Sequence, residues 1–202
     1  MTDAALTAHA GPGRPRGFDR DAAIDAGVEL FRRRGFEASS LEALTEAMGI
    51  SRSSFYAAFG SKHGVLIAAL ERYSAERLAA LAAIAARPDP APALLRALSG
   101  LAEDASGCLL VNCVTELAPR DPEVAALGAR HLEAIEAVLA RALGAGQGPD
   151  EDQDPRQEAE AQVRARALFA FALGAQTLRK AGRPAAEIEA LLAWAEPLLA
   201  PG

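Results

Sequence analysis

The chain has 202 residues, of which 50% are hydrophobic and 24% are charged. This balance is ordinary for a globular protein and excludes disorder as the main state of the chain. It contains 49 Ala and 26 Leu but only 13 Ile and Val together. Because Ala and Leu favour helices and β-branched residues favour strands, the composition excludes an all-β fold.

Targeting signals are missing from the sequence. No apolar run reaches the roughly 18 residues of a membrane span, and residues 1–17 lack the apolar core of a signal peptide. The two cysteines, Cys108 and Cys113, lie in one segment, where a shared disulfide would close a trivial loop. We therefore expect a protein of the reducing cytoplasm that has no membrane partner.

The net charge of −6 is unevenly distributed. Residues 1–64 carry eight basic and eight acidic side chains, whereas residues 65–202 carry 13 basic and 19 acidic ones. The first third of the chain is therefore relatively basic, which makes it the part best suited to contact nucleic acid.

The N-terminal region begins with a Gly- and Pro-rich stretch, residues 1–17, that predicts a flexible arm. Asp19 is a good N-cap for a first helix, and Gly35 is a natural residue to follow its end. Three arginines, Arg32–Arg34, close this helix. We interpret them as a solvated last turn that complements the negative end of the helix dipole.

A second helix is predicted to begin near Ser39, because the run Ser39-Ser40-Leu41-Glu42 matches the capping-box pattern. Gly49 ends this helix, since glycine readily adopts the left-handed conformation that a tight turn requires. Ile50 then supplies an apolar side chain that seals the turn.

Two further helices follow at once. Ser51 caps a short third helix that stops at Gly60, and Ser61 caps a long fourth helix that runs to about Arg87. A helix, a glycine turn and a short helix with polar residues at its exposed start form the pattern of a helix-turn-helix, whose second helix reads the major groove of DNA.

The segment Phe18–Phe59, continued by the run SRSSFYAAFGSK from Ser51 to Lys62, resembles the DNA-binding head of the TetR/AcrR family of bacterial transcriptional regulators. The resemblance implies an all-helical homodimer with a divergent ligand-binding C-terminal domain. It also implies that Tyr56 and Lys62 contact phosphates, while Arg52, Ser53 and Ser54 approach bases. Thr45 stands where family members commonly carry alanine. Because this position is on the packed face, the difference affects the packing of the head and not the resemblance itself.

Other residues of this region are candidates for DNA contact on physical grounds. Helix N-termini capped by serine present free N–H groups that can bind phosphate. Arg14 and Arg16 lie in a Pro-containing stretch that is either a minor-groove hook or a disordered tail. For Tyr56, the alternative to a DNA contact is packing in the core of the head. The predicted DNA-binding residues are Arg14, Arg16, Ser39, Ser51, Arg52, Ser53, Ser54, Tyr56 and Lys62.

The rest of the chain reads as a second helical set after a Pro-rich break at residues 87–92. Asp121 and Pro122 are typical of a helix start. The predicted helices cover 92–105, 108–118, 122–143, 156–180 and 184–199, with an exposed loop at 144–155. We therefore predict an all-α fold of about nine helices, divided into the arm (1–17), a helix-turn-helix DNA-binding domain (18–64) and a ligand-binding and dimerisation domain (65–202).

The helix at 108–118 carries a few polar side chains among many apolar ones, which indicates a pocket. Its Gly-Cys-Leu start, with Asn112 four residues after the Cys, resembles a branch of the family that includes sensors of reactive or hydrophobic small molecules. The alternative is that the cysteine is a small buried residue of the core and that the asparagine forms hydrogen bonds with the helix backbone. The predicted ligand-binding residues are Cys108, Asn112, Thr115, Glu116, His131, Phe169 and Gln176.

Cys108 supports a sharper hypothesis, because a thiolate is favoured at the N-terminus of a helix. Lys180, near the end of the helix at 156–180, either approaches this thiol or is a solvated end charge. A thiol in this setting would react with electrophiles or oxidants.

The last two helices carry more apolar surface than one helical pair can bury. Either they form an internal core, or they pair with a second copy in a four-helix bundle that spaces two heads for successive major grooves. The predicted dimer-interface residues are Phe171, Leu178, Leu191, Trp194 and Leu198.

The sequence offers no clear arrangement of catalytic or metal-binding residues. The three histidines, His9, His63 and His131, are too dispersed for a catalytic triad or a metal cluster, and we expect no cofactor and no metal. We expect a homodimeric, ligand-responsive repressor that a small hydrophobic or reactive molecule releases from a palindromic operator. An activator of the same fold, and a helical adaptor that does not bind DNA, are the alternatives.

Overall fold

The computed structural model describes residues 17–100, 106–144, 155–195 and 197. Within these ranges the chain forms nine α-helices and no strand, as the all-α prediction requires. The helices are α1 (Arg20–Arg34), α2 (Leu41–Met48), α3 (Arg52–Phe59), α4 (Lys62–Ala85), α5 (Ala91–Leu98), α6 (Leu109–Leu117), α7 (Pro122–Ala142), α8 (Pro155–Lys180) and α9 (Ala185–Ala195). No helix in the described part of the chain has the length and apolar character needed to cross a membrane.

The first three helices form a head that packs on the N-terminal half of α4, while α4–α9 form the body. Asp19 caps α1 by accepting hydrogen bonds from the backbone N–H groups of Asp21 and Ala22. The head is held by one apolar cluster, the head cluster, to which the first part of the chain contributes Ala23, Ile24, Phe31, Leu44, Phe55, Phe59, Val65, Leu66, Ala69 and Leu70.

The head cluster does not end at the predicted domain boundary after residue 64. The body closes it with buried side chains from α6 and the first turns of α7, namely Cys108, Leu109, Leu110, Cys113, Leu117, Val124 and Leu127. Burying one leucine side chain contributes roughly 1.5–3 kcal/mol, so this shared surface ties the head firmly to α6 and α7.

A second cluster, the body cluster, lies among the C-terminal half of α4 and α5, α7, α8 and α9. In it α7 packs between α4 and α8. Its most completely buried large side chains are Leu81, Leu94, Leu95, Leu139 and Ile188.

Three predicted helix boundaries are wrong. The cap of α2 is Ser40, whose hydroxyl accepts from the N–H of Ala43, so the helix begins at Leu41 and the capping box starting at Ser39 does not form. The helix predicted at 92–105 ends at Leu98, because Gly100 adopts a left-handed φ of 70°. The fourth helix ends at Ala85 rather than near residue 87.

Several predictions fall outside the described residues. They concern residues 1–16 of the arm with Arg14 and Arg16, the end of the predicted fifth helix at 101–105, residues 145–154 of the predicted loop, and Leu198.

Candidate functional site

The turn between α2 and α3 has the geometry that the sequence predicts. Gly49 is left-handed, with φ 63° and ψ 31°, and the N–H of Ile50 donates to the carbonyl of Thr45 at 3.1 Å. Ser51 then caps α3 by accepting from the N–H of Ser54 at 3.1 Å. The turn therefore sets α3 at a fixed angle to α2.

The eight-residue helix α3 has one buried and one exposed face. Phe55 and Phe59 anchor it in the head cluster, with their ring centroids 5.9 Å apart. Arg52, Ser53 and Tyr56 lie on the outer face, and Tyr56 is 54% exposed although it is a large aromatic residue. An exposed tyrosine beside exposed polar groups is typical of a contact surface rather than of a core.

The start of α3 is pre-organised by local contacts. The hydroxyl of Ser51 lies 2.9 Å from that of Ser53 and donates to that of Ser54 at 3.0 Å. Arg52 forms an ion pair with Glu42 of α2. The pKa of Glu42 is lowered by a backbone hydrogen bond and then by the Arg52 charge, so its carboxylate stays ionised beside the guanidinium.

Lys62 lies at the start of α4, where Ser61 supplies the cap. Its ammonium group is 4.3 Å from the ring centroid of Phe36 and donates to the carbonyl of Glu37 at 3.3 Å. These contacts fix a cation on the head, close to the turn between α1 and α2.

The prediction that Ser39 contacts DNA is wrong for this conformation. Ser39 is fully buried, and its hydroxyl donates to the carbonyl of Gly35 at 2.7 Å. Its backbone N–H donates to the carbonyl of Phe36, so Ser39 stabilises the turn between α1 and α2 instead of facing outward.

A second feature is a cavity of about 710 Å³ between head and body. The C-terminal ends of α1 and α8 and one face of α6 form its walls. Asn112, Thr115 and Glu116 line it together, as their spacing on one helical face predicts. The described lining residues are Phe31, Arg32, Arg33, Arg34, Gly35, Ser106, Val111, Asn112, Cys113, Thr115, Glu116, Thr177 and Lys180.

The described lining residues of this cavity do not include the other four predicted ligand-binding residues, which are Cys108, His131, Phe169 and Gln176. Phe169 is buried in the body cluster. Gln176 accepts from the backbone N–H of Cys108 at 3.1 Å and donates to the carbonyl of Leu98, so its amide connects α8 to α5 and to the start of α6. His131 is buried between α7 and α4, with Nδ1 2.7 Å from the hydroxyl of Ser74.

The two cysteines are free and buried. Cys108 is the N-cap residue of α6, whereas Cys113 lies one turn further on and lines the cavity. Burial, followed by the charge of Glu116, raises the pKa of the Cys113 thiol to about 12. The ammonium group of Lys180 donates to the side chain of Asn112 at 3.1 Å, which places this amine at the cavity.

The helices α8 and α9 carry exposed large apolar side chains. Trp194 is 71% exposed and Leu178 is 39% exposed in the single chain. Phe171, Leu178 and Leu191, three of the predicted dimer residues, line a shallow groove between the two helices. The internal-core alternative is therefore wrong for Trp194 and Leu178, although Phe171 and Leu191 also pack on the body cluster.

The head of the chain is similar to a known protein family. The model of the family described as bacterial regulatory proteins, tetR family, matches residues 23–69, which run from α1 into the first turns of α4. The chain belongs to the TetR family. Its match therefore covers the helix-turn-helix and the caps at Ser51 and Ser61.

Two repressors of Escherichia coli are similar to this TetR-family chain. ComR is 34% identical over 140 residues, which is 64% of this chain and 66% of ComR. BdcR is 47% identical over 62 residues, which is 31% of this chain and 32% of BdcR. The chain thus spans about two thirds of one curated relative and one third of the other.

Solved structures extend the likeness to the whole fold. The TetR-family regulator CifR, determined with a 26-bp double-strand operator DNA, is 29% identical; the match covers 93% of this chain and 98% of CifR, with a TM-score of 0.63. The reduced form of NemR from E. coli is 24% identical and matches 89% of this chain and 96% of NemR, with a TM-score of 0.71. At that identity, NemR shows the fold alone.

The three arginines that line the cavity of this TetR-family chain were not predicted to be site residues. Arg32 is only partly exposed and donates to the hydroxyl of Ser106 at 2.9 Å, so the interpretation of Arg32–Arg34 as a wholly solvated turn is wrong for Arg32. The run of three arginines was the available signal, but helix-dipole complementarity explained it equally well.

Proposed function

We propose that this chain is a cytoplasmic, DNA-binding transcriptional repressor, and not an enzyme, that binds a two-fold symmetric operator as a homodimer and is released by a small molecule. Residues 18–64 form the DNA-binding domain in this proposal, and residues 65–202 form the ligand-binding and dimerisation domain. The observation that carries it is the outer face of α3, where Arg52, Ser53 and Tyr56 project from a helix anchored by two buried phenylalanines.

The side chains of this face suit a duplex groove. Arginine and serine at the start of a recognition helix reach base edges in the major groove, and a tyrosine hydroxyl donates to a phosphate. Lys62 adds a cation at the next helix start, where free N–H groups also favour phosphate. The names of ComR and BdcR as repressors, and the operator complex of CifR, support the same assignment.

The exposed apolar side chains of α8 and α9 support a dimer. Trp194, Leu178 and the groove beside Phe171 would pack on the same surface of a second copy, related by a two-fold axis. A two-fold dimer presents two α3 helices to half-sites one helical turn, or about 34 Å, apart.

Release requires a ligand that binds more tightly to one spacing of the two heads than to the other. A ligand with equal affinity for both spacings does not change the equilibrium between them. The shared head cluster and the cavity between α1 and α6 provide the physical connection for this coupling. Movement of α6 would change the support of α1, and thereby the position of α3.

A mobility-shift titration tests the proposal with the full chain and the DNA upstream of its own gene. We expect binding that weakens by about 10³-fold between 50 mM and 200 mM salt, since each dimer displaces counterions at several phosphates. Arg52→Ala should cost about 1–3 kcal/mol of binding free energy. Arg130→Ala, which removes an exposed cation from α7, is the matched control and should leave the affinity unchanged.

A helical adaptor predicts the opposite result. It would show no salt-dependent affinity for the upstream DNA and no difference between the Arg52→Ala and Arg130→Ala variants, and either finding would overturn the proposal. A reporter gene under the same upstream DNA separates the repressor from the activator, since deletion of a repressor raises expression.

A further inference from the structure

The cavity between head and body has an unusual charge for this acidic protein. Its walls bring together the side chains of Arg32, Arg33, Arg34 and Lys180, in a chain whose net charge is −6. Among the described residues, two carboxylates lie nearby: Glu29, which pairs with Arg32 and Arg33, and Glu116, which lines the cavity. Within the part of the chain that the structure describes, four cationic side chains therefore lie beside two carboxylates.

Neither Glu29 nor Glu116 forms an ion pair with Arg34 or Lys180 in the described structure. Glu116 accepts the backbone N–H of Glu37 at 3.2 Å, so part of its capacity is used by the turn between α1 and α2. Arg34 has no hydrogen-bond or ion-pair partner among the side chains that the structure describes. Lys180 is bound to a neutral amide, the side chain of Asn112.

Two of the four cations, Arg32 and Lys180, are held in place by a continuous set of hydrogen bonds. Arg32 donates to the hydroxyl of Ser106, the amide of Asn112 donates to the carbonyl of Ser106 at 2.9 Å, and Lys180 donates to Asn112. This connection runs from α1 of the head, through α6, to the end of α8. A ligand that bridges its two ends would act on head and body together.

The cavity also has an apolar wall. Phe31, Val111 and Cys113 lie among its lining residues. A volume of about 710 Å³ lies within the range of about 300–1,000 Å³ that is usual for small-molecule sites. Cationic and apolar side chains that line the same cavity fit a molecule that has an anionic head and an apolar tail.

We propose that this cavity is a binding site for an amphipathic organic anion, whose carboxylate or phosphate is held by Arg34 and Lys180 and whose tail lies against Phe31 and Val111. Such a ligand adds charge-assisted bonds between α1 and α8 and thereby fixes the position of the head relative to the body. Its effect on DNA binding rests on the function proposed above, whereas its binding does not.

Calorimetric titration of the full chain with four probes of eight carbons each tests the site. Octanoate and octyl phosphate carry the anion, octanol is the neutral control, and octylamine carries the opposite charge. We expect one anion per chain, with octanol and octylamine binding at least about tenfold more weakly. The tighter of the two anions identifies the head group. Saturable binding of neither anion, or octanol binding as tightly as both, would overturn the proposal.

Three variants locate the bound anion. Arg34→Gln and Lys180→Gln should each weaken the better anion by about tenfold, and the glutamine amide in the second variant can still donate to Asn112. Arg130→Gln is the matched control at an exposed position on α7, and it should bind like the parent. Equal affinities of all three variants would place the anion elsewhere and refute the site.

The same probes separate this inference from the proposed function. If octanoate binds with the expected dependence on Arg34 while the chain ignores its upstream DNA, the anion site stands and the repressor proposal fails. If the DNA is bound but the anions are not, the repressor proposal stands and the site fails. If both hold, octanoate should lower the operator affinity of the parent at least tenfold more than that of Lys180→Gln.

Discussion

The imidazole Nε2 of His63 lies 2.8 Å from a carboxylate oxygen of Asp121. This contact joins the first turn of α4, which follows α3, to the N-cap of α7 in the body. Asp121 also accepts the N–H groups of Glu123 and Val124 at 3.1 Å each. One carboxylate therefore caps a 21-residue helix and holds the base of the head.

Asp121→Ala should lower the free energy of unfolding by about 1–2 kcal/mol, because α7 loses its cap. The pKa of Asp121 is lowered from 3.8 by the hydrogen bond from Val124, with His63 and Glu123 contributing further. The contribution of this carboxylate is thus complete above about pH 4, and it is lost as the pH falls below 3.8 towards the lowered value. Denaturant titration at pH 7 and pH 3 measures both effects. Asp121→Asn, which keeps an oxygen acceptor, should lose less at pH 7.

His131 gives a separate dependence on pH. Burial, with a smaller effect from the charge of Arg77, lowers the pKa of this histidine from 6.5 to about 4, so the folded protein keeps it neutral while the unfolded chain binds a proton. Stability should therefore fall as the pH drops from about 6.5 towards 4, by up to about 3 kcal/mol. His131→Leu should flatten this decline between pH 6.5 and 5 in thermal unfolding curves. An unchanged slope in the variant would contradict the assignment.

Ser39 and Tyr56 form a matched test of buried and exposed hydroxyls. Ser39→Ala removes a buried hydrogen bond to Gly35 and should cost about 1 kcal/mol of stability while leaving the DNA affinity of the folded protein unchanged. Tyr56→Phe should leave the melting temperature unchanged but weaken DNA binding by about fivefold. Thermal unfolding and mobility shifts on both variants check the contrast, which reversal of the two effects would refute.

The exposed surface of α8 and α9 should set the oligomeric state. Trp194→Glu together with Leu178→Glu would place like charges in an apolar interface, where they lack partners, and should convert a dimer into monomers in sedimentation velocity at micromolar concentration. Ala83→Glu, at an exposed position on α4, should leave the dimer intact. A double variant that remains dimeric would assign the interface to another surface.

The cysteines should differ in reactivity. The thiol of Cys113 has a pKa of about 12 and is 1% exposed, whereas Cys108 is 6% exposed at the start of α6. We expect N-ethylmaleimide to modify Cys108 first, as peptide mass mapping would show, and Cys108→Ser to blunt any loss of DNA binding under oxidants. If Cys108→Ser releases DNA under oxidation as the parent does, the hypothesis that Cys108 reacts with oxidants or electrophiles fails. Cys113→Ser is the control and should respond like the parent.

Local sequence signals predicted the parts of the fold that local forces determine. Asp19, Ser51 and Asp121 cap the helices expected of them, and Gly49 turns the chain between α2 and α3. In each case one side chain, or one glycine, satisfies the backbone within four residues.

The errors arose where a distant element decides the role of a residue. Two adjacent serines both fit a cap, and only the packing of the turn between α1 and α2 buries Ser39 and leaves the cap to Ser40. Arg32 reaches Ser106, which is 74 residues away in the sequence. The cavity itself arises from the approach of three helix segments, so its cations could not be assigned to one site from helical spacing alone.

The head cluster also limits how this regulator can be recombined. Leu109, Leu110 and Leu117 of α6 complete the apolar interior around α1 and α4, so a head cut at residue 64 would leave that interior open to water. A chimaera that joins this head to the body of another TetR-family protein must therefore include an α6 whose side chains fit the head cluster. In this protein, one layer of leucines on α6 thus completes the interior of the helix-turn-helix head.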